Sequence, residues 1–132
     1  MKFSRQSRLI KPAEFKSVFQ QPLRSGDDCF RILARANGIQ HHRLGMAVSK
    51  KACPLAVGRN RIKRLVRESF RTRILGSGQQ ESLDFVVLPN PFAAKQTNKV
   101  LGQSLSSHWQ RLIKKAENHK TGLRQNQKRT DR

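Results

Sequence analysis

The sequence predicts an α+β fold, a two-layer sandwich with helices packed on a small mixed sheet, and three observations carry that prediction. Segments of helical period alternate with short segments of period two, in the order helix, strand, strand, helix, strand, helix, and no internal repeat interrupts them. A hydrophobic fraction of 36% over 132 residues supports one modest core, with some of the chain left outside it. The longest continuous apolar stretch has the length of an interior strand, far short of the roughly 18–20 residues needed to span a bilayer.

The first helix covers Lys11 to Gln20. Pro12 suits its first turn, Glu14 lies near its positive end, and Phe15, Val18 and Phe19 recur at i, i+3, i+4. Pro22 and Gly26 end it. Phe15 and Phe19 either pack inward, as aromatic pairs at helical spacing usually do, or stay open to a partner.

From Cys29 to Ala36, Phe30, Ile32, Ala34 and Ala36 alternate with Arg31, Leu33 and Arg35, giving a strand with one apolar face and one partly basic face. Asn37-Gly38 is a turn signal. Arg43 to Ser49 alternates again, with Leu44, Met46 and Val48 against Gly45, Ala47 and Ser49, so the two strands are expected to be antiparallel neighbours. Ser49-Lys50-Lys51 closes the second strand.

A loop then leads to a helix from Arg59 to Arg71. At about 100° per residue, Ile62, Leu65, Val66 and Phe70 fall on one side and Asn60, Arg64, Arg67 and Arg71 on the other, with Arg61 and Lys63 on the flanks. Gly76-Ser77-Gly78 stops it. From Asp84 to Leu88, the unbroken apolar residues Phe85, Val86, Val87 and Leu88 suit the interior of the sheet, closed by Pro89-Asn90-Pro91. Thr97 caps a last helix in which Leu101, Leu105, His108 and Leu112 share a face beside Val100 and Trp109. That helix is expected to end near Lys115, with His108 a packed residue rather than a ligand.

One domain over residues 1–116 follows, with residues 1–7 expected to be mobile and residues 117–132 to form a disordered basic tail. The tail holds a single large apolar side chain, Leu123, too little to offset the entropy of ordering it.

The 28 Lys and Arg against 8 Asp and Glu, a net charge of +20, call for a polyanionic partner. Nucleic acid fits best. A membrane surface would need a basic helix with its apolar face open to lipid, and these helices need theirs for the core. Nine Lys or Arg lie between Ser49 and Arg73 against one acid, Glu68, whereas a merely solvated helix face mixes its signs. Arginine predominates there, as bidentate phosphate contact favours.

Cys29 and Cys53 stand apart without metal-ligand spacing and read as reduced thiols. With an N-terminus lacking an apolar stretch behind its charges, they place the protein in the cytoplasm. The acidic residues are few and scattered, and Asp27-Asp28 suits a turn better than a metal site. No phosphate-binding glycine loop or nucleophile elbow is present, so no catalytic or metal-binding residue is assigned to the protein.

Gly45-Met46-Ala47-Val48-Ser49-Lys50-Lys51, a short loop, and then RNRIKRLVRESFR from Arg59 to Arg71 closely resemble the signature of the bacterial ribonuclease P protein subunit. The helix bearing Phe15, Val18 and Phe19 and the Asp84-Phe85-Val86-Val87 strand fall in the order that family has, so the resemblance covers about Arg8 to Lys115. It implies a fold like ribosomal protein S5 domain 2, with a crossover through the arginine-rich helix. It also implies a cofactor for a large catalytic RNA, the pair removing the 5′ leader of precursor tRNA by hydrolysis with Mg2+ bound mainly by the RNA. No obligate protein partner is implied.

Carried over residue by residue, the resemblance assigns Arg59, Asn60, Arg61, Lys63, Arg64, Arg67 and Arg71 to the catalytic RNA. It assigns Phe15, Phe19, Phe30, Ser49, Lys50 and Lys51 to the precursor tRNA leader, the aromatics as stacking platforms that tolerate most base sequences. Two rivals stand beside this reading: a basic ribosomal or ribosome-assembly protein, and a nuclease made of protein alone.

Overall fold

Residues 12–20, 22–39, 41–75 and 82–129 are described by a computed structural model, so the expected mobile stretch over residues 1–7 lies outside the described residues. The first helix, α1, spans Pro12–Phe19, with Val18 buried and Phe15 half-buried. Arg35 reaches up from the sheet and donates Nη1 to the carbonyls of Ser17 at 2.9 Å and Gln20 at 2.6 Å. Those contacts serve carbonyls that a helix end leaves without partners, and they hold α1 to the sheet.

Strand β1, Leu23–Gly26, has no counterpart in the sequence reading, because only one of its residues is a large apolar one. It pairs antiparallel with β2, Phe30–Ala36. Asp27 shapes the turn between them: its Oδ1 accepts from the Cys29 N–H at 2.8 Å and the Phe30 N–H at 2.9 Å.

Strand β3 is Arg43–Met46, and β4 is Leu83–Pro89. The sheet order is β1-β2-β4-β3, with β2 and β4 antiparallel and β3 and β4 parallel. The expected pairing of β2 with β3 is thereby corrected. β4 is apolar on both faces and gains most from the interior position, while the long connection through helix α2, Ala56–Phe70, lets β3 and β4 run parallel. β3 also ends earlier than its alternation suggests, so Ser49, Lys50 and Lys51 belong to the turn that follows rather than to the strand end.

Helices α2 and α3, the latter spanning Asn98–Arg129, cover one face of the sheet. Phe70, Phe85 and Trp109 join α2, β4 and α3 edge to face, with ring centroids 5.3 to 5.8 Å apart. Trp109 Nε1 donates to Ser69 Oγ at 2.8 Å, so the indole is satisfied where it is buried. The other face carries a smaller cluster in which Leu33 and Val86 of the sheet meet Val18, Phe15 and Leu88.

Thr97 Oγ1 accepts from the Val100 N–H at 3.2 Å, the expected cap of α3. The helix does not stop near Lys115: its backbone continues to Arg129, across most of the stretch expected to be a disordered tail. Residues 117–129 contain no proline, so nothing in that stretch blocks propagation of a helix already nucleated by its packed first half.

Candidate nucleic-acid interface

The face of α2 that meets the core carries Ile62, Val66 and Phe70, all fully buried. Opposite them Asn60, Lys63, Arg64, Arg67, Glu68 and Arg71 line a shallow groove of about 390 Å³. The 3.6-residue period alone separates these two sets. Arg71 forms an ion pair with Glu68, one turn back. Among the described residues, Lys63, Arg64 and Arg67 have no hydrogen-bonding or ionic partner, so three cations and an amide are presented along one groove. A self-repelling row of that kind is stable beside an anion.

Two arginines assigned to this face are used elsewhere. Arg59 turns back to donate Nη1 to the carbonyls of Cys53 at 2.9 Å and Pro54 at 2.7 Å. Arg61 donates Nη1 to Asn98 Oδ1 at 2.7 Å and Nη2 to the Ala94 carbonyl at 3.3 Å, tying α2 to the start of α3. Both hold the framework of the helix, and the groove omits both. Their spacing could not show this, because the acceptors come from the preceding loop and from a segment more than thirty residues away.

On the other face of the sheet, Phe19, Pro22, Arg24, Arg31 and Leu33 surround a cleft of about 150 Å³. Phe19 is 46% exposed, and Phe15 lies half-buried beside the same helix–sheet junction. Phe30 is corrected: at 0% exposure it is a core residue, edge-on to His108 at 6.5 Å, and is unavailable to a leader. The period of two in β2 puts Phe30 on the face covered by α2 and α3 and Arg31 on the face that carries the cleft. That parity would have found Arg31 from the sequence; Arg24 lies on the strand that the sequence reading missed.

Ser49 builds the turn after β3. Its Oγ accepts from the Ala52 N–H at 3.0 Å and its carbonyl from the Cys53 N–H at 3.0 Å, leaving Lys50 and Lys51 exposed at the apex. Ser49 thus positions the two lysines.

The acidic groups serve the fold. Asp84, buried at the end of the sheet, accepts Arg43 Nε at 2.7 Å and Nη2 at 2.6 Å, and Asn37 Nδ2 at 2.9 Å. Asp27 accepts from Ser104 Oγ at 2.6 Å. Burial would raise the Asp27 pKa, but hydrogen bonds from Ser104 and from the Phe30 and Cys29 N–H groups, together with the nearby His108 ring, outweigh it and lower the value to about 2. His108 is fully buried, with Nδ1 2.6 Å from Ser25 Oγ and Nε2 near Asp27 Oδ1 at 3.2 Å but poorly aligned for a hydrogen bond. Burial pushes its pKa below the usual imidazole range, against the pull of Asp27. Cys29 and Cys53 are free thiols.

Among the described residues, no three His, Cys, Asp or Glu side chains gather where they could hold a metal ion. No helix among them is long and apolar enough to cross a membrane.

Comparison with known proteins adds a lineage to this geometry. Residues 3–113 match the family model described as Ribonuclease P. The ribonuclease P protein component of Aliivibrio salmonicida is 46% identical over 113 residues, covering 83% of this chain and 92% of its own. That of Haemophilus influenzae is 44% identical over 117 residues, covering 89% and 96%. Among solved structures, the RNase P protein of Staphylococcus aureus superposes with a TM-score of 0.67 at 28% identity, over 83% of this chain and 94% of that one. The protein from Thermotoga maritima gives 0.65 at 28% identity, over 81% and 96%. The family match spans the sheet, α1, α2 and the packed half of α3, and the chain belongs to the ribonuclease P protein family, a subunit of the endoribonuclease that matures tRNA 5′ ends.

Proposed function

We propose that the outer face of α2 binds the catalytic RNA of ribonuclease P and that the cleft beneath α1 holds the 5′ leader of precursor tRNA. The observation that carries the first half is the row of Lys63, Arg64 and Arg67 on one helix face, without a hydrogen-bonding or ionic partner among the described residues. Asn60 and Arg71 extend it. In the cleft, exposed Phe19 supplies a stacking surface and Arg24 and Arg31 supply charge for the leader backbone, a combination that accepts single strands with little regard to sequence. Phe15 supports Phe19 from the same helix, and Lys50 and Lys51 offer further phosphate contacts from their turn.

The bond cleavage belongs to the RNA. Magnesium is bound there by phosphate oxygens, which suit a hard cation as carboxylates do. The protein neutralises phosphate repulsion between catalytic RNA and substrate and fixes the leader, which lowers the magnesium needed for activity. It works in the cytoplasm with two RNA partners, without a membrane and without an obligate protein partner.

The test adds the full chain to a bacterial ribonuclease P RNA and precursor tRNA at low magnesium, with each component omitted in turn. Leader removal only when protein and catalytic RNA are both present supports the reading. Cleavage by the protein alone, or no enhancement by folded protein on a competent RNA, overturns it.

A further inference from the structure

Leu55 and Val57 are the most exposed large hydrophobic residues among those described, at 74% and 81%. Pro54 and Ala56 beside them are also exposed, so four successive residues form an apolar tip at the head of α2. Single exposed aliphatics are ordinary, but a run of them at one apex is not.

The tip is rigidly held. Arg59 clamps the carbonyls of Cys53 and Pro54, the Arg59 N–H donates to the Leu55 carbonyl at 3.0 Å, and the Cys53 N–H returns to the Ser49 carbonyl. A Cβ at Gly58 would stand 2.7 Å from Cys53 Sγ, so only glycine lets the loop close this tightly on the helix. The protein therefore presents the two side chains in one place, and a contact made there loses little further freedom on binding.

The position of the tip identifies its partner. Val57 precedes Asn60 by three residues and Arg64 by seven, which places it on the same helix face, two turns ahead of the unpartnered cations. Lys50 and Lys51 stand exposed in the turn that precedes it in the chain. A surface that lies down on the α2 groove meets Val57 and Leu55 in the same approach, and the basic surroundings select an RNA. Phosphates do not contact aliphatic carbon favourably, whereas the face of a base does.

We propose that Leu55 and Val57 pack against an unstacked base of the RNA bound by α2, adding a contact without charge at the end of a charged interface. The proposal rests on the assignment of the α2 face to the catalytic RNA. It makes the apex an anchor of register: the cations set attraction along the groove, and the aliphatic pair fixes where along the RNA the helix stops.

The experiment measures affinity of the full-length protein for ribonuclease P RNA across a series of monovalent salt concentrations. The double variant Leu55→Ala/Val57→Ala is expected to bind about tenfold more weakly at every salt concentration, with the salt slope unchanged, because it removes apolar contact and no phosphate contact. Folding is preserved, since Leu55 makes no side-chain cap hydrogen bond and alanine favours a first helical turn over valine. Val57→Lys is expected to weaken binding too. Wild-type affinity in the double variant, or tighter binding with a steeper slope in Val57→Lys, overturns the contact. Arg64→Ala, measured alongside, separates the two ideas: a reduced slope there with a wild-type double variant removes only the apolar contact, while an unchanged slope in Arg64→Ala removes the RNA face itself.

Discussion

Arginine does opposite work at the two ends of this molecule. At the end of the sheet, Arg43 is forked onto buried Asp84, which also accepts from Asn37, and the charge is consumed by the fold. On the outer face of α2, where Glu68 pairs with Arg71, Arg64 and Arg67 form no ion pair among the described residues. The difference lies in the neighbours: a partly buried guanidinium requires a matched acceptor, whereas an exposed one is solvated until an anion replaces the water. Arg59 and Arg61 show that both behaviours occur within a few residues of one helix.

The comparison breaks most visibly at Asp84. Asp84→Ala is expected to lower stability by about 3–5 kcal/mol, because it uncouples a buried pair and leaves Asn37 without one of its acceptors. Urea unfolding reads this directly, and a loss below about 1 kcal/mol would show that the sheet end does not depend on the pair.

The cleft should respond next. Phe19→Ala is expected to weaken binding of precursor tRNA to the holoenzyme by about 1–3 kcal/mol and to leave mature tRNA unchanged, since only the precursor carries a leader to stack. Equal losses for both RNAs would remove Phe19 from leader contact.

At the α2 face the effect is one of slope. Arg64→Ala and Arg67→Ala should each flatten the salt dependence of catalytic RNA binding by about one phosphate contact while changing stability by less than about 0.5 kcal/mol. Arg61→Ala should do the reverse, losing about 1 kcal/mol of stability through its bond to Asn98 with little change in slope. Indistinguishable results for Arg61 and Arg64 would erase the division between framework and interface.

The smallest effect is on pH dependence. Burial holds His42 and His108 below the ordinary imidazole value of 6.5 in the folded state, so just below that pH the unfolded chain takes up protons that the folded chain refuses. Their contribution is complete above about pH 6.5 and is lost as the pH falls below it. Asp27, lowered from 3.8 to about 2, adds a second loss across that lower window. A urea midpoint that stays flat from about pH 7 to about pH 5 would contradict the first loss.

Much of the site was legible because its signals are local. The opposition of Ile62, Val66 and Phe70 to Asn60, Arg64 and Arg67 needs only the helical period, and the interior place of β4 needs only its unbroken apolar run. Thr97 announced the start of α3 three residues before its bond to Val100. For Phe30 the period of two in β2 outweighs the role the family resemblance implies, because its strand face packs under α3. The apolar tip is not legible in the sequence, because Leu55 and Val57 are indistinguishable from core residues until their surroundings are known.

The sequence by itself determined the α+β class, the amphipathic α2 with its predominantly basic outer face, the need for a polyanion and the resemblance to the ribonuclease P protein family. Each depends on spacing within an element, on the order of elements along the chain or on net charge, none of which tertiary packing can alter. Only the tertiary structure decided that β4 separates β2 from β3, that β1 exists, and that Arg59 and Arg61 brace the helix while Arg64 and Arg67 face outward. Those outcomes depend on acceptors and apolar surfaces brought together from distant parts of the chain, where packing and hydrogen-bond satisfaction, not local propensity, select among arrangements that the sequence pattern leaves equal.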